Sequence, residues 1–130
     1  MKFFLASDLE GLRRLYAVLA EFDFRSAFTL DDALRILDSP MNFDLIIIGV
    51  HFDDSRAVDL LREIRSKPKY ELTPILFIRT QPSSISQILE QSILSLKDAY
   101  RVNGLIETDL LDEDDCRIRE EIVRMAALDI

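Results

Sequence analysis

The sequence predicts a doubly wound α/β domain, a five-stranded parallel sheet with helices on both faces. Three observations lead there. Short apolar runs of strand length alternate with longer stretches whose apolar residues recur at helical spacing, five pairs in all. The run Ile46-Ile47-Ile48 is β-branched and unbroken, as a central strand covered on both faces requires. The 130 residues, 48% hydrophobic and 31% charged, suffice for one domain with a real core and are too few for two. The expectation is a single domain over residues 1–130.

Taken in order, the first strand is Lys2–Ala6, and the helix after it carries Leu9, Leu12, Leu15, Tyr16 and Leu19 on one broad stripe for the sheet. The second strand is Asp23–Phe28. Thr29 with Asp32 three residues on forms a capping-box-like start to the second helix, packed by Leu34, Ile36 and Leu37. The third strand, Leu45–Val50, precedes a helix that begins near Ser55 and buries Leu60, Leu61 and Ile64. After the fourth strand, Ile75–Arg79, an unusually long helix runs from Ser84 to Arg101. Ser84 and Gln87 cap its start and Asn103-Gly104 stops it. The fifth strand is Leu105–Glu107, and the last helix starts near Asp112 and buries Ile118, Ile122 and Met125.

Composition narrows the function classes. A net charge of −8 disfavours nucleic acid and anionic membranes, both of which are bound through clustered Lys and Arg. Cys116 is the only cysteine, which excludes an intrachain disulfide and a cysteine metal cluster and fits a reducing compartment; a half-buried or buried thiol is expected. The opening Met1–Asp8 has too few consecutive apolar residues for a signal segment or membrane span, so a cytoplasmic location is expected. Only Gly11, Gly49 and Gly104 occur, so no glycine-rich loop cradles a nucleotide and no cofactor is expected. The acidic run Asp109, Asp112, Glu113, Asp114 and Asp115 reads as a helix start favoured by the helix dipole, because the spacing and glycine of a calcium loop are missing.

The segment Phe43-Asp44-Leu45-Ile46-Ile47-Ile48-Gly49-Val50, followed by Leu60-Leu61-Arg62-Glu63-Ile64-Arg65, resembles the third strand and third helix of response-regulator receiver domains. Thr29-Leu30-Asp31-Asp32-Ala33-Leu34, Thr73-Pro74-Ile75-Leu76-Phe77 and Gly104-Leu105-Ile106 fall in the same register. The resemblance implies a flavodoxin-like (CheY-like) sheet of order 2-1-3-4-5, and the extended fourth helix read from the sequence is longer than the family norm. It also implies a phosphoacceptor carboxylate at the end of the third strand and a pair of metal-holding acids after the first. Here those positions read Gly49 and Ser7-Asp8. The family's switch hydroxyl aligns with Arg79, with Thr80 one residue on, and its lysine with Thr108. Glycine has no oxygen to attack phosphorus, and one carboxylate is a poor site for an ion that dehydrates reluctantly. Ser7, Asp8, Gly49, Arg79, Thr80 and Thr108 are therefore expected to form a degenerate phosphoacceptor pocket with no catalytic residue and no metal. Arg79 would point into it and pair with Asp8.

Other chemistries find less support on the same residues. Asp53 or Asp54 could replace the acceptor, although loop aspartates there are ordinarily turn residues. His51, the only histidine, near Ser7 and Asp8 lacks the nucleophile elbow of a triad enzyme. The expectation is a non-phosphorylatable pseudo-receiver, an interaction module of bacterial signal transduction rather than an enzyme. Its partner would be a signalling protein or its own output domain, with a homodimer through the fourth-helix face as the self-association mode. The alternative is a small-ligand sensor using the C-terminal ends of the strands, where Gly49 would leave room. On the fourth helix Ile85, Leu89, Ile93, Leu96 and Tyr100 share a sheet-facing stripe and Leu94 points the other way. Leu94 and Tyr100 are the expected partner-binding residues.

Overall fold

The computed structural model describes residues 2–53, 56–79, 91, 94–107 and 114–127, with side chains up to Met125 in the last helix. The elements are β1 (Lys2–Ala6), α1 (Leu9–Val18), β2 (Asp23–Ala27), α2 (Leu30–Leu37), β3 (Leu45–Gly49), α3 (Ala57–Ser66), a 3₁₀ turn at Pro68–Tyr70, β4 (Ile75–Arg79), α4 (residues 94–100), β5 (Gly104–Glu107) and α5 (Asp115–Ala127). The five strands pair in parallel in the order β2-β1-β3-β4-β5. The winding direction reverses between β1 and β3, which places the C-terminal ends of those two strands side by side.

Alternation along the strands divides the core into two layers. Phe4, Ile46, Ile48 and Phe77 meet Ala33 and Leu37 of α2 and Leu60, Leu61 and Ile64 of α3. On the opposite face Phe3, Leu5, Ile47, Leu76 and Ile106 meet Leu12 and Leu15 of α1 and Ile118 and Ile122 of α5. Every residue of β3 and β4 is buried, as strands covered on both faces require. Leu34, Ile36 and Met125 complete these layers as partly buried residues.

The α1 stripe is narrower than the sequence suggests. Leu12, Leu15, Val18 and Leu19 are buried, but Leu9 is 63% and Tyr16 is 43% exposed. At about 100° per residue Leu9 and Tyr16 lie about 20° apart, on the flank that overlooks the edge strand β2 rather than the sheet face. The Tyr16 ring stacks on Phe24 with centroids 5.2 Å apart, and its hydroxyl hydrogen-bonds Ser26.

Helix ends follow local chemistry. Thr29 Oγ1 accepts from the Asp32 N–H at 3.2 Å, the expected cap of α2. Asp114 Oδ1 accepts from the Cys116 N–H at 2.9 Å and starts α5. α3 starts at Ala57 after Arg56, which makes no side-chain cap; Ser55, Asp112 and the Ser84–Gln87 capping box lie outside the described residues. The stop assigned to Asn103-Gly104 lies earlier. Arg101 takes a left-handed φ of 55°, and the Val102 N–H donates to the Lys97 carbonyl at 3.0 Å, a Schellman ending. Asn103 instead joins β4, its N–H donating to the Ile75 carbonyl at 2.8 Å and its Oδ1 accepting from the Ile75 N–H at 3.0 Å. Gly104 is already the first residue of β5. Among the described residues no helix is long and apolar enough to cross a membrane.

Candidate functional site

The chain leaves β1 at Ala6 and reaches Ser7 and Asp8 at the C-terminal rim of the sheet. Ser7 is buried, its N–H donating to the Ala27 carbonyl at 3.3 Å and its hydroxyl to Asp8 Oδ1 at 3.1 Å. The same Asp8 oxygen accepts from the Gly11 N–H at 3.1 Å, so this carboxylate is the N-cap of α1. Its negative charge suits the positive end of that helix.

Gly49 closes β3 beside this turn. β1 pairs with β3 with Ala6 opposite Ile48, so one step on Ser7 lies against Gly49. A Cβ built on Gly49 would fall 2.1 Å from Ser7 Oγ and 2.8 Å from Ser7 Cβ. One built on Gly11 would fall 2.0 Å from the same Oγ. Two of the chain's three glycines thus give up their side-chain space to one serine hydroxyl. The room expected beside Gly49 for a ligand is filled by Ser7.

Arg79 ends β4 and is only 8% exposed. Its Nη2 lies 3.5 Å from Glu107 Oε2, and Arg79 and Glu107 are register partners on adjacent strands. The ion pair expected with Asp8 does not form. The parallel register brings the β5 carboxylate alongside Arg79, while Asp8 is held at the start of α1. Thr80 and Thr108 lie outside the described residues. Glu107 escaped the sequence reading because only strand register makes it a neighbour of Arg79.

The loop after β3 carries His51 and Asp53. Asp53 has a left-handed φ of 42°, and its Oδ2 accepts from the Leu30 N–H at 2.7 Å, fastening the loop to the first turn of α2. Asp54 lies outside the described residues. His51 lines an open cavity with Asp8, Glu10, Phe28, Thr29 and Asp53, while the Ser7 hydroxyl donates to Asp8 and not to His51. Among the described residues no three His, Cys, Asp or Glu side chains converge on a metal position. The Mg²⁺ that receiver chemistry uses does not fit the described donors: Asp8 serves as a helix cap, and Asp53 is tied to the Leu30 N–H.

The two expected partner residues face different surroundings. Leu94 is 54% exposed. Tyr100 is half-buried against the α2–α3 layer, and its carbonyl accepts from Arg65. Cys116 is exposed rather than half-buried, since it points away from the Ile118 and Ile122 stripe of α5.

A scan against protein-family models finds no match, and neither does a search of curated protein sequences. Solved structures do match over nearly the whole chain. A sensor protein from Polaromonas sp. JS666 superposes with a TM-score of 0.73 at 15% identity, covering 99% of this chain and 98% of that one. The chemotaxis response regulator CheY4 of Vibrio cholerae gives 0.71 at 19% identity, covering 96% and 98%. The signal receiver domain of a signal transduction histidine kinase from Syntrophus aciditrophicus gives 0.70 at 16% identity, covering 97% and 89%. The five-stranded parallel sheet of order β2-β1-β3-β4-β5 with its helices matches the fold of these neighbours, the flavodoxin-like, CheY-like fold of response-regulator receiver domains.

Proposed function

We propose that this domain is a pseudo-receiver, a module of two-component-type signalling in the cytoplasm that carries no phosphoryl group and acts by binding protein partners. The observation that carries this reading is the interlock of Ser7 with Gly49. At the rim where a receiver presents its acceptor, this chain has no side-chain oxygen at the end of β3 and no space for one. Arg79, at the position that aligns with the switch hydroxyl, pairs with Glu107 instead of offering a hydroxyl to phosphate. The small-ligand alternative loses the room expected at Gly49, which Ser7 takes.

Incubation of the purified chain with acetyl phosphate and Mg²⁺, followed by intact-mass spectrometry, should leave the mass unchanged. A stable gain of one phosphoryl group, on Asp53, Asp54 or elsewhere, would overturn the proposal. The binding surface in this reading is the α4 face around the exposed Leu94, with a signalling protein, an attached output domain or a second copy as occupant. Burying that leucine would contribute about 1.5–3 kcal/mol. Leu94→Glu should therefore weaken association by about tenfold or more in light scattering and pull-down while thermal unfolding stays unchanged. Unaltered assembly and partner binding in the folded variant would remove this face.

A further inference from the structure

Two open cavities of about 450 Å³ each adjoin on the far side of the molecule from α4, sharing Leu9 and Phe28. The lower one lies between α1 and the end of β2 and is lined mainly by Leu9, Leu12, Tyr16, Ala27 and Phe28. The upper one is rimmed by Asp8, Glu10 and Asp53 around His51. Together they form one trough, apolar below and acidic above.

We propose that this trough binds a basic amphipathic segment of a partner protein, with an apolar anchor between Leu9, Tyr16 and Phe28 and cationic side chains toward Asp8, Glu10 and Asp53. This second surface is independent of whether the domain takes phosphate. Three large side chains stay in solvent here, Leu9 at 63%, Phe28 at 48% and Tyr16 at 43%, and they are contiguous rather than scattered. Contiguous exposed apolar side chains of this kind mark interaction surfaces. A standard interface buries about 800 Å² per partner, so the patch alone is too small for a stable self-dimer and suits the anchor of a single segment.

Charge selects the chemistry of that segment. Asp8 and Asp53 each spend one oxygen on a backbone N–H, which leaves the other carboxylate oxygen as an acceptor, and Glu10 is exposed. Among the described lining residues the cation is Arg13, which lies 3.9 Å from Glu10 and offsets one carboxylate of the three. The chain as a whole carries −8, which draws in basic partners and repels acidic ones.

The test is an amide-detected NMR titration of the whole chain with a synthetic helical peptide bearing Leu and Phe at i, i+3, i+4 and i+7 and Lys elsewhere. Two further peptides serve as controls, one with Glu in place of Lys and one with Ser in place of the apolar residues. The expected result is saturable shifts at Leu9, Arg13, Tyr16, Ser26 and Phe28 with the Lys peptide. Binding should be at least about tenfold weaker with either control peptide and with the exposed-site variants Leu9→Lys and Phe28→Lys. Glu10→Lys should weaken binding without touching the apolar anchor. Absent binding, shifts on another face, equal binding by the Ser peptide, or unchanged affinity in all three folded variants would overturn the assignment.

Discussion

At the C-terminal end of β1 a buried hydroxyl competes for space with whatever β3 presents at its own end. Because Ser7 Oγ sits where a Cβ on Gly49 would lie, even alanine at position 49 must displace Ser7 or strain the β1–β3 pair. Gly49→Ala should cost about 1–3 kcal/mol in urea unfolding, the usual penalty for overpacking. Ser7→Gly alone gives up the hydrogen bond to Asp8, a loss of about 1 kcal/mol. The double variant should recover much of the alanine penalty, with a coupling energy of about 1 kcal/mol or more. Strict additivity would mean that the two positions do not share one space. The residue types at this rim are legible in the sequence, since Gly49, Ser7 and Asp8 fall in register with the receiver pattern. Their interlock is not, because it depends on β1 and β3 being adjacent and on the offset that sets Ala6 opposite Ile48. Arg79 shows the same limit: its buried charge faces Glu107, 28 residues away in the chain, through pairing that no local pattern reveals.

Among the elements, α3 carries in its last turn a side chain that organises three backbone segments. Arg65 donates to the carbonyls of Tyr70 and Thr73 at 2.7 Å each from Nη1, of Tyr100 at 2.7 Å from Nε, and of Arg101 at 2.9 Å from Nη2. One planar fork thereby fastens the 3₁₀ turn, the loop before β4 and the C-terminus of α4, where carbonyl oxygens lack partners and a cation is favoured. A lysine keeps the charge but not the fork. Arg65→Lys should lower stability by about 3 kcal/mol, read as a lower urea midpoint at unchanged slope. A loss under about 1 kcal/mol would show that these bonds are replaced by water without penalty. The central strands are legible as unbroken apolar runs because both their faces are covered, and the helix interiors because burial repeats every 3.6 residues. Helix ends are less so. The stop of α4 falls on Arg101, a residue with no intrinsic taste for a left-handed φ, and the Arg65 bond to its carbonyl helps to hold it there.

For the whole molecule, the alternation of elements is enough to reach a parallel sheet with right-handed crossovers, while the strand order 2-1-3-4-5 is legible only through the resemblance to receiver domains. Surfaces are less legible than the core. The exposed flank of α1 with Leu9 and Tyr16 has the spacing of a buried stripe, and only the position of β2 at the sheet edge leaves it uncovered. The same geometry puts two candidate binding surfaces on opposite sides of a rim whose usual acceptor position is closed. A molecule built this way should not respond to phosphodonor or metal at that rim. The most direct measurement is an amide-detected NMR titration with Mg²⁺ and then acetyl phosphate, following Ser7, Asp8, Gly49 and Arg79. The account predicts that these resonances stay in place at saturating donor and metal; saturable shifts centred on Ser7 and Gly49, spreading to Arg79 and α4, would contradict it.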